Sequence, residues 1–92
     1  MIIVSQDKNS IINFDNILRL YISRYIEETI TEYYIRYEDC NNSYEDIGTY
    51  KTEERAKEVL QEIIDMYKFN RCEAVGQKNA LYRMPEDQIY EI

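Results

Sequence analysis

The sequence predicts an α+β domain: an antiparallel sheet of four to five strands with one amphipathic helix on one face, in the order β-β-β-β-α-β. Three observations predict it. Apolar and polar residues alternate with period two in several short stretches between residues 1 and 50. A single apolar stripe of period 3.6 runs over 53–68. The chain has 92 residues, enough for one domain and one small core; a chain of this size buries roughly 60–65% of its unfolded surface.

The start, MIIVSQDKNSIINFD, reads as a hairpin. Ile2, Ile3 and Val4 form one β-prone run and Ile11, Ile12 and Phe14 the next, joined by the turn residues Asp7, Lys8, Asn9 and Ser10. In ILRLYISRYI, Leu18, Leu20, Ile22 and Ile26 hold even positions, and Arg19, Tyr21, Ser23 and Tyr25 odd ones. Ile17, Leu18, Tyr21, Ile22 and Tyr25 also satisfy a helical period. The β-branched and aromatic residues favour the strand. In EYYIRYED, Tyr33, Ile35 and Tyr37 face one way and Tyr34, Arg36 and Glu38 the other. Cys40 to Ser43 is a turn, and YEDIGTY is the returning strand, with Gly48 marking a bulge.

Thr52 is suited to cap a helix, and Glu53 and Glu54 suit its positive end. Ala56, Val59, Leu60, Ile63, Ile64 and Tyr67 then fall on one face of a helix over 53–68. Gly76 to Asn79 reads as loop. Residues 80–85 are a candidate last strand that Pro85 ends or confines to a sheet edge, and 86–92 a frayed tail. The whole is one domain, 1–92. One helix covers one face of the sheet, so the other face is solvated, self-associated or bound by something else.

Composition narrows function. Ten tyrosines stand against two phenylalanines and no tryptophan, a bias that suits both half-buried sheets and binding interfaces. The formal net charge is −7. From Tyr25 to Glu54 there are nine acids and two bases, Arg36 and Lys51; elsewhere nine acids and nine bases cancel. The excess charge therefore lies in one segment, and its sign argues against direct nucleic-acid binding. No stretch is apolar enough to span a membrane and no secretory leader is visible, so a cytoplasmic address is expected. Cys40 and Cys72 are expected as free thiols in a reducing compartment.

Catalysis finds little to work with. There is no histidine, no Gly-rich phosphate loop and no nucleophile elbow, so a non-enzymatic role is expected. Asp39, Asn41, Ser43 and Glu45 share the early spacing of an EF-hand loop. Tyr44 stands at the loop's glycine position and Tyr50 where a bidentate glutamate belongs, so no metal or other cofactor is expected. Recognition remains. The residues assigned to a partner-binding surface are Tyr25, Glu27, Glu28, Glu32, Tyr34, Glu38, Asp39, Glu45 and Asp46: aromatic rings with an acidic rim.

The stretches MIIVSQDKNSIINFDN, GTYKTEERAKEVLQEI and LYRMPED, about half the chain, resemble small uncharacterised proteins of low-GC Gram-positive bacteria and their prophages. The tyrosine-rich acidic middle departs from that group. The resemblance implies a phage or mobile-element inhibitor of the anti-CRISPR kind. Such a protein binds a host protein with a basic groove, a Cas effector for instance, as monomer or homodimer, and blocks its nucleic acid. Two alternatives stay open: a homo-oligomeric anti-defence module that sequesters a small signalling nucleotide, and a bacterial adaptor.

Overall fold

A computed structural model describes residues 1–72 and 81–87, with side chains through residue 68 in the first stretch. Its elements are β1 (Ile2–Val4), β2 (Ile11–Asn13), a 3-10 turn (Phe14–Asn16), β3 (Ile17–Ile26), β4 (Thr31–Asp39), β5 (Tyr44–Tyr50), α1 (Glu53–Cys72) and β6 (Leu81–Arg83). The class is α+β, as the sequence predicts. The single sheet is corrected to two sheets of three strands, ordered β2-β1-β6 and β3-β4-β5, and five strands rather than four precede the helix.

The large sheet is an antiparallel meander. Ile35 of β4 lies between Ile22 of β3 and Gly48 of β5. Tyr33 and Tyr37, two residues either side, point the same way and pack against the core. The helix lies over this face with Ala56, Val59 and Ile63 buried beneath it. Thr52 caps it as expected, its Oγ1 accepting the Arg55 N–H at 3.1 Å. The helix continues past the expected end at 68 to Cys72. The proposed loop at 76–79 and the tail at 88–92 lie outside the described residues.

Two bulges adjust the alternation. In β5, Ile35 pairs with Gly48 and Arg36 with Asp46, so Ile47 is the extra residue and is buried. Gly48 is required there: a Cβ would sit 2.9 Å from Met84 Cε and 3.0 Å from the buried Tyr50 ring. In β3 the register slips between Ile17 and Arg19. Ile17 turns to the core and Leu18 is left 63% exposed, so Leu18 does not share the face of Leu20 and Ile22 that the even-numbered alternation predicts. Ile26 is likewise exposed, because it lies at the far end of the strand.

The small sheet closes the other side of the core. β1 pairs antiparallel with β2 and parallel with β6, so the last strand joins the N-terminal hairpin instead of extending the meander. Lys8 takes a left-handed φ of 64° in the hairpin turn, and Asp7 Oδ1 accepts from the Ser5 hydroxyl and the Asn9 N–H. Ile3, Ile12, Tyr82 and Met84 reach the same core as Ile35 and Ile63.

Gln6 joins the two sheets. Its backbone N–H donates to the Ile47 carbonyl at 2.8 Å. Its side-chain Oε1 accepts the Thr49 N–H at 2.8 Å, and its Nε2 donates to the Thr49 and Pro85 carbonyls at 3.1 Å each. One side-chain amide thus stands in for a neighbouring strand at the outer edge of β5. Gln6→Ala should lower unfolding free energy by about 2 kcal/mol, since it strands part-buried backbone groups. Gly48→Ala should cost about 1–3 kcal/mol through overpacking; chemical denaturation reads both. Burial raises the Tyr50 and Tyr82 phenols above their ordinary 10.0. The folded state therefore favours the neutral phenols, a stabilisation fully present below that pH and lost as pH rises through the folded values. The melting temperature should fall on the alkaline side of about pH 10, and Tyr82→Phe should make that fall shallower.

Candidate interaction surface

The face of the large sheet away from the helix carries the residues that alternate with the core set. On β3 these are Arg19, Tyr21, Ser23 and Tyr25, and they lie opposite Glu38, Arg36, Tyr34 and Glu32 of β4 in that order. Beyond the bulge, Asp46 and Tyr44 of β5 continue the rows from Arg36 and Glu38. A strand of alternating tyrosine and charge can only fold this way once Ile35 is inside.

The charges of this face sort into two regions. In the middle they cancel. Arg19 Nη2 lies 3.1 Å from Glu38 Oε2, and its guanidinium sits 4.3 Å above the Tyr21 ring. Arg36 Nε lies 2.6 Å from Asp46 Oδ1, and its guanidinium lies 4.6 Å from the Tyr44 ring centre. The hydrogen bond to Asp46 holds Arg36 protonated well beyond its ordinary range. Each arginine is therefore paired with a carboxylate and stacked on a ring.

At the β3–β4 turn they do not cancel. Residues 24–31 are all exposed, so this hairpin tip stands clear of the core. Glu27 and Ile30 close it, with backbone bonds of 2.7 and 3.3 Å around Glu28 and Thr29. Glu27, Glu28 and Glu32 have no basic partner among the described residues. Their neighbours are hydroxyls instead: Tyr25 donates to Glu27, and Tyr34 donates to Glu32 Oε2 at 2.6 Å. Those bonds hold both phenols neutral, that of Tyr34 pushed up to about 12, first by the bond to Glu32. Tyr25, Ile26 and Ile30 add exposed apolar surface to the same tip.

Of the nine residues assigned from sequence, five come together here: Tyr25, Glu27, Glu28, Glu32 and Tyr34. Glu38 and Asp46 are on the same face but neutralised by Arg19 and Arg36. Asp39 ends β4 and serves the loop after it: its Oδ1 accepts the Asn41 and Ser43 N–H groups at 2.8 and 3.0 Å and supports the left-handed Asn42, φ 66°. Glu45 lies opposite Tyr37, on the helix side of the sheet, and accepts that hydroxyl at 3.2 Å. The alternation read from sequence sets Arg19 and Arg36 apart from the apolar residues of their strands, but not against Glu38 and Asp46. Strand register decides those pairs.

Cys40 is an exposed free thiol. Among the described residues, no helix is long and apolar enough to cross a membrane, and no three acidic or cysteine side chains converge to hold a metal ion. Comparison with protein-family models, with curated proteins and with solved structures returns no match.

Removing the charge on Glu32 should release Tyr34. In Glu32→Gln the Tyr34 ring should titrate near the ordinary 10.0 rather than about 12, followed by NMR of the ring protons. An unchanged midpoint would assign the shift to burial instead.

Proposed function

We propose that this protein is a non-enzymatic inhibitor that binds a basic, nucleic-acid-handling protein through the β3–β4 hairpin tip and keeps nucleic acid out. The observation that carries this reading is the grouping of Glu27, Glu28 and Glu32, unpaired with any base among the described residues, on a fully exposed tip. Carboxylates so placed present charge as phosphates do. A Lys/Arg-lined groove would attract them over several ångströms, with association that weakens as salt rises. Tyr25, Ile26 and Ile30 supply the apolar contact that charge alone lacks. The two phenol–carboxylate bonds hold the tip's side chains in place before binding, which lowers the entropy lost there.

The likeness of three stretches to prophage-associated proteins adds a setting for this reading: an anti-CRISPR-like inhibitor, in a bacterial cytoplasm, with a Cas effector as the first partner to try. The competing role, sequestration of a signalling nucleotide, has less support. Arg19 and Arg36, the arginines suited to a phosphate on this face, are already occupied by Glu38 and Asp46. A bacterial adaptor of other partner would use the same tip.

The test is competition. Candidate effectors from the host are loaded with labelled DNA or RNA at low salt, and the protein is titrated in. Displacement is expected for at least one. The triple reversal Glu27→Lys, Glu28→Lys, Glu32→Lys should weaken it at least about tenfold, some 1.4 kcal/mol. Reversal of the exposed Glu54 and Glu86 should leave it nearly unchanged; Glu58 is unsuitable as a control because it pairs with Arg55. Glu62 is unsuitable as a control because it accepts the Tyr82 hydroxyl. Equal losses from both sets would refute a localised surface.

A further inference from the structure

We propose that the apolar groove between α1 and the β3 side of the large sheet binds a slender acyl-type ligand that ends in a carboxylate, with Lys68 taking the head group. This inference is independent of the partner proposed above.

The groove arises where the helix stripe reaches past the sheet. β3 is the outermost strand of the large sheet among the described residues, and α1 packs across its core face. Leu20 of β3 and Phe14 of the turn before it form one wall, and Leu60, Ile64 and Tyr67 of α1 the other. No residue of β4 or β5 lines it. Ile63, 1% exposed, forms the floor, and Ile64 at the rim is 39% exposed. Phe14 and Tyr67 meet with ring centres 5.1 Å apart. Apolar surface left in this state stays in contact with water, so covering it is favourable.

The dimensions select the occupant. The groove holds about 410 Å³, within the range of small-ligand sites, about 300–1,000 Å³. From Leu60 to Lys68 the helix rises about 12 Å, at about 1.5 Å per residue. A partner α-helix, about 10 Å across with its side chains, would need roughly 900 Å³ over that length. A helical peptide is therefore too thick for the groove, whereas an extended alkyl chain of medium length fits it.

The chemistry selects the head group. Six of the seven lining side chains are apolar or aromatic, and the seventh is Lys68. Mostly apolar walls with one placed charge are how small-molecule sites fix the orientation of a ligand. Lys57, on the same helix, is paired with Glu53 at 3.1 Å, but Lys68 has no acidic partner among the described residues. Beside low-dielectric walls its ammonium attracts a carboxylate more strongly than it would in open water. The net charge of −7 acts in the opposite sense, drawing cations and repelling anions. A preference for the anionic ligand is therefore a signature of Lys68 and not of the protein's overall field. The same net charge disfavours an anionic membrane surface, for which one lysine is too few.

Decanoate, decanol and decyltrimethylammonium share one chain and differ in head group. Isothermal titration calorimetry below their micelle concentrations should show a single saturable site, with decanoate bound at least about tenfold more tightly than decyltrimethylammonium and decanol between them. Lys68→Glu, at an exposed position, should reverse that order. Ile64→Trp, at the rim, should fill the groove and abolish decanoate binding while circular dichroism stays unchanged. Absence of saturable decanoate binding overturns the inference. So do equal affinities for the three ligands, and decanoate binding that survives Ile64→Trp, which would place the site elsewhere. Binding to phosphatidylglycerol vesicles without binding of decanoate would make the groove a membrane contact and overturn it as well.

Discussion

The alternation of β4 about Ile35 is the constraint on which the rest of the large sheet depends. Ile35 is fully buried at the centre of the middle strand, with Ile22 and Gly48 beside it and the helix above. Burial of such a side chain contributes about 1.5–3 kcal/mol. A slip of one residue would exchange Tyr33, Ile35 and Tyr37 for Tyr34, Arg36 and Glu38, placing an arginine and a glutamate under the helix. Desolvating those charges costs far more than the tyrosine would return. The core thus determines which tyrosines and which acids face water.

Once that register is set, the charge of the exposed face follows from cross-strand geometry. Two arginines come within reach of Glu38 and Asp46 and stack on Tyr21 and Tyr44. Exposed ion pairs of this sort add little stability, typically less than about 1 kcal/mol. Their consequence is electrostatic: the middle of the face is made nearly neutral, and the uncompensated acids are left at the hairpin tip. A surface that looks uniformly acidic along the chain is in fact a neutral, ring-rich centre with one negative pole.

Local patterns were legible where a single element carries its own signal. The helix stripe from Ala56 to Tyr67, the Thr52 cap, the first hairpin and the two faces of β4 could all be read from spacing. The bulge beside Gly48 was legible as well, since a lone glycine in a strand marks a close approach. Leu18 leaves the even-numbered apolar set because it is itself the extra residue of a bulge. The division into two sheets was not legible, because it rests on Gln6, a polar residue next to a turn whose amide reaches Thr49, 43 positions away. Nor was the pairing of β6 with β1. That parallel contact joins the two ends of the described chain, and three residues carry too little pattern to name a partner. Asp39 and Glu45 were assigned to the surface by composition alone, and each turned out to serve a loop or a neighbouring phenol.

The sequence by itself determined the class of fold, the helix, the side of β4 that is core, and the confinement of net charge to the middle of the chain. These are properties of composition and short-range period. The tertiary structure decided how the strands divide into two sheets, which acids are cancelled, and that three uncancelled ones, Glu27, Glu28 and Glu32, gather at one exposed tip. Those outcomes depend on register between strands, and register is set by packing across the whole core.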